Sequence, residues 1–128
     1  MAKILIIDDE LTIRELFRYI FEDAGYEVEL AKNGRQALDM LQNGVPDFMI
    51  LDVSMPEMSG TEFIQELKLL AEGDPRLGSI PFVVMTGESM GSAIGDIFVS
   101  APGFVCFFPK MIPPEEVCEK VREVLASR

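Results

Sequence analysis

The apolar residues of this chain fall into two periods. Lys3-Ile-Leu-Ile-Ile-Asp8, Phe48-Met-Ile-Leu-Asp52, Pro81-Phe-Val-Val-Met-Thr86 and Phe104-Val-Cys-Phe-Phe108 are continuous apolar runs closed by a polar residue, a turn or a proline. In the first three, an unbroken run of that length is what a strand covered on both faces requires; the last predicts a fifth strand. Tyr26-Glu-Val-Glu-Leu30 alternates instead, which predicts a strand of intermediate burial. Between the runs the spacing lengthens to three and four. Ile13, Leu16, Phe17, Ile20, Phe21 and Ala24 predict one face of a helix stopped by Gly25. Ala37, Leu38 and Leu41 predict a short helix after the Asn33-Gly34 turn, ending near Gly44. Phe63, Ile64, Leu67 and Leu70 predict a third, closed by Gly73-Asp-Pro75. Pro113-Pro114 open the last, with Glu115 and Glu116 in its first turn and Val117, Val121, Val124 and Leu125 as its inner face. The stretch from Gly87 to Gly103 is the weakest pattern; a helix there is short and poor in propensity.

Five strands alternating with helices predict a doubly wound α/β fold with a mainly parallel sheet. At 128 residues and 48% hydrophobic content, the chain is expected to be one domain over 1–128. It carries 11 basic and 22 acidic residues, a net charge of −11, with no basic run to interrupt the field. Such a surface repels nucleic acid and anionic membrane, so neither is an expected partner. Cys106 and Cys118 sit inside apolar patterns and read as reduced thiols, not a disulfide framework. There is no histidine, which removes His-based metal sites, catalytic triads and phosphohistidine from this chain. Met1 runs straight into a strand, leaving no room for a signal peptide, and no apolar stretch approaches membrane-spanning length. The expected setting is soluble and cytoplasmic.

The candidate chemistry lies at strand ends. Asp8 and Asp9 follow the first strand, Asp52 the third, Thr86 the fourth and Lys110 the fifth. In an open α/β sheet, ligands bind outside the carboxyl ends of the strands where the strand order reverses. By analogy with folds of order 2-1-3-4-5, that reversal lies between the first and third strands, and the acid pair meets Asp52 there. Three carboxylates in one crevice repel each other unless a cation joins them. Mg²⁺ suits the set, because it takes one or two carboxylates, keeps waters and accepts phosphate oxygens. A carboxylate beside it can attack a phosphoryl group and form an aspartyl phosphate. Lys110 would neutralise one phosphoryl oxygen and the Thr86 hydroxyl would donate to another. Two rivals accompany this reading: a Mg²⁺-dependent phosphatase working through an aspartyl phosphate, and an interaction module that keeps the fold without the chemistry.

With those residues assembled, the sequence resembles the receiver domain of two-component response regulators over essentially its whole length. The acidic pair matches Asp8-Asp9, the acceptor block matches Asp52-Val-Ser-Met-Pro-Glu-Met-Ser-Gly60, and the remaining matches are Thr86 and Lys110. The resemblance implies the flavodoxin-like order 2-1-3-4-5 and phosphoryl transfer to Asp52 from a histidine kinase or histidine phosphotransfer protein. It implies Mg²⁺ held by Asp9, Asp52 and the backbone carbonyl of Ser54, with Asp8 helping through water. It makes Thr86 and Phe107 the switch pair, and the domain a signalling protein with at most weak self-phosphorylation and autophosphatase activity. The fourth helix, fifth strand and last helix would carry the signal to a target protein, an output domain or a second copy on activation. Ile97, Phe98 or Val99 is expected to contact that partner. Ser54 and Glu88 occupy positions that tune phosphoryl lifetime in the family. The chain departs from the pattern at Lys110-Met111, where many members have proline after the lysine. A cis bond before a non-proline residue costs roughly 2.5–4 kcal/mol, which disfavours one here. Phe107 also lacks the hydroxyl of the commoner tyrosine.

Overall fold

Five strands lie side by side in one parallel sheet, in the order β2-β1-β3-β4-β5. They are β1 (Lys3–Ile7), β2 (Glu27–Ala31), β3 (Phe48–Asp52), β4 (Phe82–Thr86) and β5 (Phe104–Pro109). The helices between them are α1 (Leu11–Asp23), α2 (Gly34–Leu41), α3 (Gly60–Gly73), α4 (Ser92–Val99) and α5 (Pro114–Ala126). This computed structural model describes residues 1–87 and 91–128, so the expectation for Glu88 lies outside the described residues.

Side-chain alternation along the strands divides the core in two. Leu5, Ile7, Met49, Leu51, Phe82 and Val84 meet Ala37, Leu38 and Leu41 of α2 and Phe63, Ile64 and Leu67 of α3. Ile4, Ile6, Phe48, Ile50, Val83 and Met85 meet Phe17 and Phe21 of α1 and Val117 and Val121 of α5. β1 and β3 are buried on both faces, as their unbroken apolar runs predict. β2 and β5 form the edges and are mostly half-buried.

Among the described residues, α2 and α3 carry side-chain caps. Asn33 accepts from the Gln36 amide at the start of α2. Ser59 and Glu62 form a reciprocal capping box on α3. The weakly patterned stretch does contain a helix, α4, but it begins at Ser92 behind Gly91, with no side-chain cap.

Three expected inner-face residues lie outside the core. Leu16 is 44% exposed, since it sits about 100° round the helix from Phe17. Ala24 lies beyond the last residue of α1 and is exposed. Leu70 is 38% exposed; Leu77, from a 3-10 turn over Pro75–Ser79, packs into the core beside Ile64 and Leu67. Both cysteines are free and half-buried, as expected of reduced thiols in apolar surroundings. Among the described residues, no helix is long and apolar enough to cross a membrane.

Candidate functional site

The carboxyl ends of β1 and β3 deliver two buried acids into one crevice. Asp8 is 3% exposed and Asp52 is 2% exposed. Backbone contacts hold each in place. The Asp8 amide donates to the Ala31 carbonyl at 3.0 Å, and the Glu10 amide donates to Asp8 Oδ1 at 2.9 Å. Arg14 donates to the Asp8 carbonyl at 2.7 Å, tying α1 to the end of β1. On the other side, the Val53 amide reaches the Met85 carbonyl, and the Gly60 amide donates to the Val53 carbonyl at 2.8 Å. That turn needs a glycine for space. A Cβ on Gly60 would stand 2.5 Å from the Asp52 carbonyl oxygen.

Lys110 enters from the end of β5. Its amide donates to the Thr86 carbonyl at 2.8 Å, which joins the ends of β4 and β5. Its Nζ lies 3.0 Å from Asp52 Oδ2, 2.7 Å from Glu10 Oε1 and 3.8 Å from Asp8 Oδ2. Among the described residues, one cation therefore faces three carboxylates. All peptide bonds among the described residues are trans, the Lys110–Met111 bond included, and the lysine still reaches Asp52.

The electrostatics follow from burial. The Asp52 carboxyl is pushed up to about 6 by burial, then by the Asp8 charge; Lys110 and the Ser54 amide pull the other way. Asp8 is also raised by burial, against the Glu10 amide and Lys110. Burial opposes the Lys110 charge, but hydrogen bonds to Glu10 and Asp52 outweigh it and push the ammonium up.

Asp8, Asp52 and Lys110 thus converge directly. Thr86 is half-buried and meets Lys110 through its backbone. Asp9 is exposed, and its carboxylate clusters with those of Asp8 and Glu10, oxygens within 4.8 Å of one another. Such an all-oxygen cluster could hold a metal ion. Ser54 is exposed and touches Asp52 through its amide. Phe107 lies away from the charges, half-buried and edge-on to Phe98 at 6.1 Å. Asp8 and Asp9 are expected site residues, and Glu10 joins them here without having been singled out by its position in the sequence. The available signal was a third acid in the same run, at the entrance to α1.

Taken together, the fold and crevice define a doubly wound α/β domain with buried carboxylates and a lysine at the point where strand order reverses. The family model described as response regulator receiver domain matches residues 4–122, and the chain belongs to that family. The response regulator MprA of Mycolicibacterium vanbaalenii is 33% identical over 125 residues, which cover 97% of this chain and 50% of that protein. The chain spans about half the length of the curated relatives it matches. Among solved structures, the chemotaxis protein CheY4 of Vibrio cholerae is similar with a TM-score of 0.83 and 32% identity, over 97% of this chain and 98% of that one. A CheY-like receiver domain protein of Methanospirillum hungatei gives a TM-score of 0.84 at 27% identity, over 99% and 95%. The chain is a response-regulator receiver domain, a signalling domain of two-component systems.

Proposed function

We propose that Asp52 accepts a phosphoryl group from a histidine kinase or histidine phosphotransfer protein, in a Mg²⁺-dependent reaction. The observation that carries this is Lys110 Nζ at 3.0 Å from a buried Asp52, with Asp8 alongside. A carboxyl raised to about 6 is ionised at neutral pH and less stabilised than an ordinary one, which suits a nucleophile. An Asp52 oxygen attacks phosphorus, the phosphorus–nitrogen bond of the donor phosphohistidine breaks, and its electron pair returns to the imidazole. Lys110 then balances charge on one phosphoryl oxygen, and the Thr86 hydroxyl donates to another.

The residues present fit Mg²⁺. The donors are hard oxygens, and two buried acids beside a single lysine leave excess negative charge in the crevice. Asp9, Asp52 and the Ser54 carbonyl would hold the ion, with Asp8 joined through water. Bound there, it supplies neutralisation of the phosphoryl oxygens. Water attack on the acyl phosphate gives at most a weak autophosphatase activity.

Phosphorylation draws Thr86 inward and Phe107 follows, changing the surface of α4, β5 and α5. The exposed apolar residues there support that readout. Val99 is 57% exposed and Ile97 half-buried, whereas Phe98 is fully buried and belongs to the core. A downstream target, an output domain or a second copy of the chain reads this face. Residues 1–128 act as one receiver domain in the cytoplasm, with no nucleic acid or membrane as partner of the domain itself.

Intact mass after incubation with acetyl phosphate and Mg²⁺ tests the reading. The expected result is one phosphoryl adduct, absent with a chelator and absent in Asp52→Asn. No adduct, together with no binding of beryllofluoride, would overturn it.

A further inference from the structure

Among the described residues, Lys110 has more carboxylates to serve than its proposed task requires, and the shorter of its hydrogen bonds to them goes to a residue outside the acceptor. Glu10 Oε1 stands 2.7 Å from Nζ, against 3.0 Å for Asp52 Oδ2. We propose that Glu10 is a positioning residue that holds the Lys110 ammonium partly away from Asp52, and so slows phosphoryl transfer to and from that aspartate. The proposal rests on the reading of Asp52 as phospho-acceptor.

The geometry gives Glu10 this position for a local reason. Its amide donates to Asp8 Oδ1 at 2.9 Å, so the residue is fixed at the lip of the crevice where α1 begins. From there its side chain, 55% exposed, reaches across to a lysine from the far end of the chain. The lysine side chain is only 19% exposed, so its donors are committed among these few acceptors. An ammonium is a compact point charge that can turn its donors between partners. Charge gathering on the phosphoryl oxygens in the transition state calls for that ammonium. Glu10 competes for it, and adds a negative charge beside an anionic donor. Both effects act on phosphorylation, and the first acts equally on hydrolysis.

Glu10→Gln removes the charge and keeps the shape. Uptake from acetyl phosphate at saturating Mg²⁺ is expected to rise roughly two- to five-fold, the range carried by an ion pair half open to solvent. Loss of the phosphoryl group should speed up in the same sense, and Glu10→Asp, one methylene shorter, should fall between the two. Mg²⁺ affinity by calorimetry should change by less than about two-fold. A ten-fold fall in that affinity would make Glu10 a metal ligand and overturn the proposal; unchanged or slower uptake would overturn it as well. The Lys110 ammonium resonance in ¹H–¹⁵N spectra is read on the unphosphorylated protein. It should be protected in the parent and lost to solvent exchange in Glu10→Gln; equal protection in both would overturn the hold. Absence of any adduct in parent and variant would sink the acceptor reading instead, while that resonance still decides whether Glu10 holds the lysine.

Discussion

The two ends of the sheet are made by the same strands and solve opposite problems. At the amino ends of β4 and β5, the chain is apolar and closely apposed. The Phe82 amide donates to the Gly103 carbonyl at 2.9 Å, and Phe82 packs edge-on to Phe104 at 5.9 Å. At the carboxyl ends of β1 and β3, two carboxylates are buried together with one lysine to balance them. Apolar burial stabilises the first end, whereas desolvated like charges work against folding at the second. The apolar core runs along both, but only the carboxyl end gives up some stability for its chemistry. Substitutions at the two ends should change stability with opposite signs.

The largest expected effect is at the amino end. Gly103 needs no side chain because there is no room for one. A Cβ there would stand 2.0 Å from the Ile80 carbonyl oxygen, nearer than any real contact allows. Gly103→Ala must push the two backbones apart and strain the bond between the Phe82 amide and the Gly103 carbonyl. Urea unfolding should report a loss of about 2–3 kcal/mol. A loss below about 0.5 kcal/mol would show that this end yields easily, and the contrast between the ends would fail.

At the carboxyl end the sign reverses. The folded-state Asp52 carboxyl is raised from 3.8 to about 6, so the folded protein holds that proton more tightly than the unfolded chain does. Stability contributed by this group is full at low pH and is lost as pH rises through the window from about 3.8 to about 6. Asp52→Asn removes that loss. In a chelator, at pH 7, the variant should be more stable by about 1–2 kcal/mol, a figure discounted for the solvent that reaches the crevice mouth. The gain should fade as pH falls below about 4. A pH series of unfolding curves checks both statements, and a variant less stable than the parent at pH 7 would contradict the contrast.

How much of each end could be read in the sequence follows from the same physics. Much of the crevice was legible because four of its residues stand at or just beyond the close of an apolar run, and that is where a strand ends. Asp8, Asp52, Thr86 and Lys110 announce themselves this way. The strand order itself came from analogy, since periodicity does not say which strands are neighbours. Glu10 was not legible as a partner of Lys110. Its contact spans 100 positions and depends on how far two side chains reach. Nor was the 3-10 turn that follows α3. Pro75-Arg-Leu-Gly-Ser reads as a loop, yet Leu77 is 7% exposed and packs into the core. A single apolar residue in a polar stretch has no period to reveal it. In α4 the periodicity failed for another reason: Phe98 is buried and its neighbour Val99 exposed, in a helix too short to repeat the pattern.

The element that joins the two ends supplies the smallest prediction. α3 starts beside the acceptor turn, where Gly60 donates to Val53, and finishes at the 3-10 turn that brings in Leu77. Its first turn is held by the Ser59 hydroxyl accepting from the Glu62 amide and by the Glu62 carboxylate accepting from the Ser59 amide at 3.1 Å. Ser59→Ala removes half of that box, at an expected cost of about 1 kcal/mol by urea unfolding. Ser59→Thr should recover most of it. If the two ends are as separate as their chemistry, hydrogen exchange in Ser59→Ala should quicken at Glu62 and Phe63. At Phe82 and Phe104, where the amino-end contacts remain whole, it should rise by no more than the roughly five-fold that a global loss of about 1 kcal/mol gives every core amide, and by less than at Glu62 and Phe63. An equal rise above that level at both ends would show that α3 transmits the loss along its length, and the acceptor turn and the apolar end would have to be treated as one cooperative unit.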